Sequence, residues 1–385
     1  MTLTRRAALA AAATLAAPAL VRAQGPALKI GMITTLSGPG GYLGQDIRDA
    51  FALAIESGAF GAAKIDLVVE DDGLKPAQAK QIANRFIKTD GIKLFTGVVF
   101  SNILEAVAPD ILEEGGLYVS PNAGPSSLAG KNCHRNYFVV SWQNDSLHES
   151  AGQNATALGY KKMYLLAPNY PAGKDAITGF KRFFKGEIVG EGYTRLDQTD
   201  YAPEMAQIRA ANPEAVFQFH PGGLGIAFLR QYQQAGLVGK IPMVLAAPSL
   251  DATTLAAVGD IALGMDVTSH WNTDLDTAAN KAFVAGFMKK FNRVPTYYAS
   301  QGYDTALAMA AGLKGGASVE AIRGALLKAD FSSVRGKFRF GANQHPVQDW
   351  YGLRVERAPD GKLALVTKGK ILSDHGDAYA AQCKI

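Results

Sequence analysis

The groups in this chain best placed to do chemistry are small polar residues at the ends of apolar runs. Ser37-Gly38-Pro39-Gly40-Gly41, Ser101-Asn102 and Ser120-Pro121-Asn122-Ala123-Gly124 each follow a β-like stretch. Hydroxyls and free backbone N–H groups at helix starts can hold a carboxylate without lysine or arginine. Each such bond to a charged group contributes about 1.5–3 kcal/mol. Taken singly these turns are ordinary caps, and it is three of them on one edge that argue for a site. Enzyme signatures are thin: there is no G-x-S-x-G elbow, no P-loop and no H-E-x-x-H. Histidines 134, 148, 220, 270, 345 and 375 are dispersed with no i,i+4 pair, so neither a metal nor a cofactor is expected. Gly222-Gly223-Leu224-Gly225 resembles a dinucleotide turn. However, Phe228 stands where the third glycine belongs, and no acid follows at about 20 residues. A tight turn at a cleft edge is the better reading. Glu70-Asp71-Asp72, ahead of Lys75-Pro76, reads as a polar turn rather than a metal cluster.

The elements that must position these turns alternate. From Leu28, short apolar strands (29–35, 65–70, 94–99, 117–120) are separated by amphipathic helices (43–57, 76–89, 103–114). After a break the same beat resumes with strands at 162–167, 188–194, 215–219, 243–246 and 264–268 and helices at 174–184, 204–212, 225–235 and 253–258. Strands separated by helices make parallel βαβ units, and the carboxyl ends of such sheets form ligand crevices. Both halves are therefore expected to be doubly wound α/β layers. Between them lie the aromatic Tyr137–Trp142 and the polar Gln143-Asn144-Asp145. Three helical patterns (278–291, 298–313, 319–327) then precede a β-like tail with a turn at Pro359-Asp360-Gly361.

A chain of 385 residues, 48% hydrophobic and 19% charged, has material for two cores. Its net charge of +5 superficially suits a nucleic-acid binder. Residues 1–23 answer this. Arg5-Arg6, an Ala-rich run to Leu20 and Val21-Arg22-Ala23 read as a secretory signal peptide cleaved after Ala23. Its removal takes three arginines and no acid, so the net charge falls to +2. No later stretch is apolar enough to span a membrane. The expected product is periplasmic, monomeric, not membrane-inserted and without nucleic-acid partners. Cys133 and Cys383 are the only cysteines, and in an oxidising compartment an even pair points to one disulfide, the alternative being two free thiols.

Leu36-Ser37-Gly38-Pro39 with Gly44, Glu70-Asp71-Asp72 through Pro76 and Ala79, Ser101-Asn102, Ser120-Pro121-Asn122-Ala123, and Leu229-Arg230-Gln231 through Ala235-Gly236-Leu237 together carry a likeness. The chain resembles the leucine/isoleucine/valine-type (type I) periplasmic solute-binding proteins of ATP-binding-cassette importers. The resemblance implies two doubly wound parallel-sheet lobes joined by three hinge crossings, near Tyr137–Trp142, Met265–Trp271 and Phe340–His345. It places residues 24–142 with 272–341 in one lobe and 143–271 with 342–385 in the other. It also implies membrane permease subunits as partners.

In amino-acid-binding members of that family, a serine matching Ser101 and the segment matching Asn122, Ala123 and Gly124 hold the carboxylate. Here Gly124 stands where those members have threonine. They also use an acid for the ligand ammonium, and the register puts Ala247 at that position. An ammonium buried without a counter-charge costs several kcal/mol, so the expected ligand is a small carboxylate lacking an α-amino group. Tyr42, Trp142, Tyr170, His220, Tyr297, Tyr298 and Tyr303 fall near expected cleft positions and supply stacking surface or a bond to a ring hydroxyl. Leu43, Ala172 and Pro221 complete the expected pocket. The combination of Asn122–Ser126, Trp142–Asp145 and Leu166–Tyr170 looks similar to members that take benzoate-, phenylacetate- or cinnamate-like acids. The rivals are a branched-chain amino-acid-binding protein, a sensory module, and an exported ester hydrolase with Ser101 as nucleophile and His220 as base.

Overall fold

The computed structural model describes residues 27–385, and the expected signal peptide lies outside the described residues. The first layer runs β1 (Leu28–Thr34), α1 (Gly41–Glu56), β2 (Ile65–Asp71), α2 (Pro76–Lys88), β3 (Leu94–Thr96), α3 (Ser101–Glu113), β4 (Leu117–Ser120) and β5 (Tyr137–Val139). Its five strands are all parallel, in the order β2-β1-β3-β4-β5. The expected strand 94–99 stops early because Gly97 turns the chain at φ +110°, where a Cβ would sit 2.6 Å from the Ile33 carbonyl. Ending β3 there leaves Val98–Phe100 free to run into the cleft ahead of α3. Asp71 and Asp72 behave as turn residues: Asp71 accepts the Leu36 and Gly73 N–H groups, and Asp72 accepts the Thr35 hydroxyl and the Leu74 N–H.

The second layer follows with α4 (Asn144–Ala157), β6 (Lys162–Pro168), α5 (Pro171–Phe183), β7 (Glu187–Thr194), α6 (Ala202–Ala211), β8 (Ala215–Gln218), α7 (Gly223–Gln234), β9 (Met243–Ala246), α8 (Ala252–Val258) and β10 (Asp266–Ser269). The chain then adds α9 (Ala278–Phe291), α10 (Tyr297–Leu313) and α11 (Val319–Leu326). Of these, α10 packs on α1 of the first layer. The chain finally re-enters the second sheet with β11 (Phe338–Phe340), β12 (Pro346–Arg357) and β13 (Leu363–His375). The second sheet runs β11-β12-β10-β9-β8-β6-β7, with β13 on β12. It is parallel from β7 to β10 and antiparallel through the tail, so the doubly wound pattern carries an antiparallel edge. The chain passes between the sheets three times. The third passage lies upstream of β11, and the expected crossing at Phe340–His345 is instead the hairpin turn between β11 and β12, tied to β5 by Val139 N–H donating to the Gln344 carbonyl (3.0 Å).

Helix α4 has no counterpart among the expected elements. Its sequence, NDSLHESAGQNATA, carries no apolar stripe, yet every residue from Asn144 to Gly152 is buried, as are Asn154 and Ala155. Gln143 caps it by accepting the Ser146 N–H (3.2 Å). Polar groups on α4 are buried because other elements supply partners. Arg182 of α5 pairs with Asp145 (2.9 Å) and Glu149, and His375 of β13 also reaches Glu149 (2.5 Å). Cys133, between β4 and β5, is bonded to Cys383 near the C-terminus, with Cα atoms 5.6 Å apart.

Candidate functional site

The carboxyl ends of the two parallel runs face each other across a cleft, and three contacts hold it shut. Gly223 N–H at the start of α7 donates to the Pro39 carbonyl (3.1 Å). The Tyr42 hydroxyl on α1 donates to Asp251 (3.0 Å), which itself caps α8 through the Thr254 N–H (2.7 Å). Ser126 donates to Asp175 on α5 through its N–H (3.0 Å) and hydroxyl (2.5 Å). Burial pushes the Asp251 carboxyl up to about 6, and its bonds from Thr254 and Tyr42 act against that rise. Asp175 is likewise pushed up to about 6, first by burial and then by the charge of Asp145.

Inside lies a tight cavity of about 20 Å³, narrowed by the closed cleft. Of the expected residues, Ser101, Asn122, Trp142, Tyr170, Ala172, Pro221 and Tyr298 line it. Sequence reasoning missed Val99, Phe100, Leu147, His148, Phe219 and Pro248, and did not single out Asn144 as a site residue. Phe219 directly follows a strand, the one signal that could have found it; Leu147 and His148 sit on α4, which the apolar period does not reveal. Tyr170 stacks on Phe219 (centroids 6.2 Å) and Phe100 tilts against Tyr170 (6.3 Å), giving a flat aromatic slot.

Ser101 opens α3, and its Oγ accepts a bond from Asn144 Nδ2 (3.1 Å), so the hydroxyl proton is free to be donated into the cavity. Asn144 Nδ2 also donates to Asp175 (2.9 Å), and Asn144 Oδ1 accepts the Gly124 N–H (3.3 Å). The starts of α3, α4, α5 and α7 all border the cavity or its lining residues. Their first-turn N–H groups lack intrahelical acceptors, and their dipoles favour an anion.

Several expected residues lie elsewhere. His220 belongs to the core of the second layer: its ring stacks on Phe228 (4.8 Å), and its nitrogens are taken by Thr194 Oγ1 (3.0 Å) and Gln218 Oε1 (2.7 Å). Burial pushes its pKa down to about 3. The Ala123 N–H is occupied by the Val98 carbonyl (3.3 Å) and that of Gly124 by Asn144, so neither is free for a ligand. Leu43 is core beneath the closure contact at Gly222, and Tyr42 is the latch on Asp251. Ala247 and Tyr297 border a larger neighbouring cavity with Asp251, Trp271 and Leu365. Tyr303 packs on Phe283 (4.8 Å) away from the cleft. Ser101 and His220 are thus not assembled as nucleophile and base.

The comparisons agree with this architecture. The family model described as "Periplasmic binding protein" matches residues 27–362. A "Leu/Ile/Val-binding protein homolog 6" of Brucella melitensis biotype 1 is 29% identical over 356 residues, covering 87% of this chain and 89% of that protein. A solute-binding protein of an ABC transporter from R. palustris, solved in complex with benzoate, is 29% identical with a TM-score of 0.87, covering 94% of this chain and all of that one. Another, from Rhodopseudomonas palustris BisB5 in complex with 3,4-dihydroxy benzoic acid, is 27% identical with a TM-score of 0.84 over 91% and 99% of the two chains. Two sheets closed on a shared cleft and a family match across nearly all of the described residues lead to one assignment: the chain belongs to the periplasmic binding proteins, the type I solute-binding family of ATP-binding-cassette importers.

Proposed function

We propose that this protein captures a small aromatic carboxylate in the periplasm and delivers it to permease subunits of an ATP-binding-cassette importer. In this reading, two lobes move after cleavage at Ala23, residues 24–142 with the helices after 272 in one and residues 143–271 with β11 onward in the other, so that the expected boundary at 341/342 shifts upstream of β11, and the receptor works as a monomer. The observation that carries it is the wall of the cavity: none of its lining residues is Asp, Glu, Lys or Arg. An α-ammonium there would meet no counter-charge, at a cost of several kcal/mol. Asp175 and Asp251, which border this region, are already engaged, by Ser126 and Asn144 and by Tyr42 and Thr254. A carboxylate, by contrast, finds the Ser101 hydroxyl and helix N-termini, and a ring finds Trp142, Tyr170, Phe219 and Tyr298. Neighbours of the same fold hold benzoate and a dihydroxybenzoate. The curated relatives are named for leucine, isoleucine and valine, which keeps a branched-chain amino acid as the second reading. Titration calorimetry with benzoate, a hydroxycinnamate and leucine separates them: tight leucine binding with no aromatic binding overturns the first.

Ser101→Ala is expected to weaken aromatic-carboxylate binding about tenfold or more, through loss of one charge-assisted bond. An unchanged dissociation constant removes Ser101 from the site.

Closure should also be proton-linked. Asp175 and Asp251 sit near 6 when the cleft is shut, against an ordinary value of 3.8. With the lobes apart and these groups hydrated, their pKa values return toward that ordinary range. The closed form therefore binds more protons between those values, and closure is favoured as pH falls through 6. Affinity is expected to rise up to about tenfold per latch from pH 7.5 to 5, and to flatten above pH 7. Calorimetry across that range checks it, and Asp175→Asn should remove about half of the logarithmic change, leaving that of Asp251; a flat profile in the unaltered protein contradicts it.

A further inference from the structure

We propose that His148 reads a hydroxyl on the ligand ring at the end opposite the carboxylate, making the cleft selective for para-hydroxylated aromatic acids. This rests on the aromatic-carboxylate reading above and concerns a residue of α4 that neither the closure contacts nor the carboxylate corner uses. Asn144, Leu147 and His148 line the cavity from one face of α4. Asn144 marks the carboxylate end, because its amide contacts the Ser101 hydroxyl (3.1 Å). His148 lies one helical turn further along, about 6 Å by the rise of four residues. That is the length of a benzene ring with its para substituents.

The His148 ring is held edge-on against Phe217 (5.6 Å) and Phe219 (4.7 Å) and is 1% exposed. Its Nδ1 is buried with no hydrogen-bond partner among the described residues. Leaving such a group unpaired is costly, and a bound ligand that returns the bond recovers the cost as affinity. Burial pushes the imidazole down to about 3, so it is neutral at physiological pH, with one nitrogen donating and the other accepting. A phenol hydroxyl, which also donates and accepts, matches either nitrogen. Other buried histidines do not share this position. His220 has both nitrogens bonded within the protein, and His270, also unpartnered, is enclosed by the rings of Trp142, Tyr297 and Trp350 and is not itself among the cavity-lining residues.

The test is calorimetry on the mature protein with benzoate, 3-hydroxybenzoate and 4-hydroxybenzoate, for the natural chain, His148→Phe and His148→Gln. The natural chain is expected to prefer 4-hydroxybenzoate over benzoate by about tenfold, with the 3-hydroxy isomer between them. His148→Phe should collapse that ratio to about one, whatever its effect on benzoate itself, and His148→Gln should keep part of it. The ratio should hold constant between about pH 5.5 and 8, where a neutral imidazole does not titrate. Equal binding of benzoate and 4-hydroxybenzoate by the natural chain overturns the proposal, as does an unchanged ratio in His148→Phe. Should His148→Phe not fold, the natural ratio and His148→Gln decide. Failure of all three acids to bind overturns the aromatic-carboxylate reading and this one with it, whereas benzoate binding without hydroxyl preference overturns this one alone.

Discussion

Replacing Arg335 by methionine is expected to cost this protein about 3–5 kcal/mol of stability, the penalty for leaving a buried carboxylate without its partner. Arg335 is 3% exposed and Asp304 is fully buried, with Nε and Oδ2 3.0 Å apart. The guanidinium also donates to the Val140 and Ser141 carbonyls (2.6 and 3.0 Å) and to Gln348 Oε1 (2.8 Å). It therefore ties the first passage between the sheets to the approach to the third and to β12. Burial raises the Asp304 carboxyl and Arg335 lowers it, so losing the arginine leaves burial opposed only by the bonds from Ser333 and Val334. The sign follows. In the variant, Asp304 has a pKa raised further above its unfolded value, and the destabilisation is largest at neutral pH and shrinks as acid protonates the group. Urea melts at pH 7 and pH 5 check both parts. The double variant Arg335→Met with Asp304→Leu should recover much of the loss, because a hydrophobic pair replaces a buried ion pair at little net cost. If the single variant melts within about 1 kcal/mol of the natural chain, the hinge is not held this way.

Gly124→Thr, which restores the residue that amino-acid-binding relatives are expected to carry, should weaken ligand binding about ten- to a hundredfold instead of strengthening it. Gly124 and Asn144 bond in both directions: Asn144 N–H donates to the Gly124 carbonyl (2.8 Å) and Gly124 N–H to Asn144 Oδ1 (3.3 Å). That pairing brings the Gly124 backbone against Trp142, and a Cβ there would lie 2.1 Å from the Trp142 carbonyl oxygen. Something must move, and what moves is the passage carrying Trp142 and the start of α4, so the Asn144 bond to Ser101 goes with it. Overpacking of this kind costs about 1–3 kcal/mol. Gly124→Ala is the control. It carries the same Cβ without the hydroxyl and should lose nearly as much affinity, and tight binding by the threonine variant would show that the hydroxyl matters and the steric account does not.

Much of the fold was legible because local chemistry repeats it. The beat of β-branched runs and amphipathic helices marks nearly every element of both layers, and the Ser101 turn is visible as a strand end followed by a helix start. The departures share a cause. β3 ends at Thr96 because Gly97 adopts φ +110° against the Ile33 carbonyl, a contact between strands distant in sequence. His220 looked like a ligand contact at the end of β8, but Thr194 and Gln218 occupy its ring. Ala123 and Gly124 looked like free donors until Val98 and Asn144 took them.

Sequence by itself determined the class of architecture and, as expectations, the export signal, a near-neutral mature charge and a carboxylate site with Ser101 and aromatic rings. The architecture rests on periodicity and composition, which are local properties, and the role of Ser101 on the resemblance to the family. Tertiary structure alone decided which polar groups are free. Helix α4 is polar by sequence and buried by packing, since Arg182 and His375 from distant elements satisfy Asp145 and Glu149. The same helix turns His148 toward the cavity, where nothing in the protein satisfies it. A hydrogen-bond partner is set by three-dimensional proximity, not by neighbours in the chain. The site's occupied and unoccupied donors could therefore be read only once both sheets had closed on it.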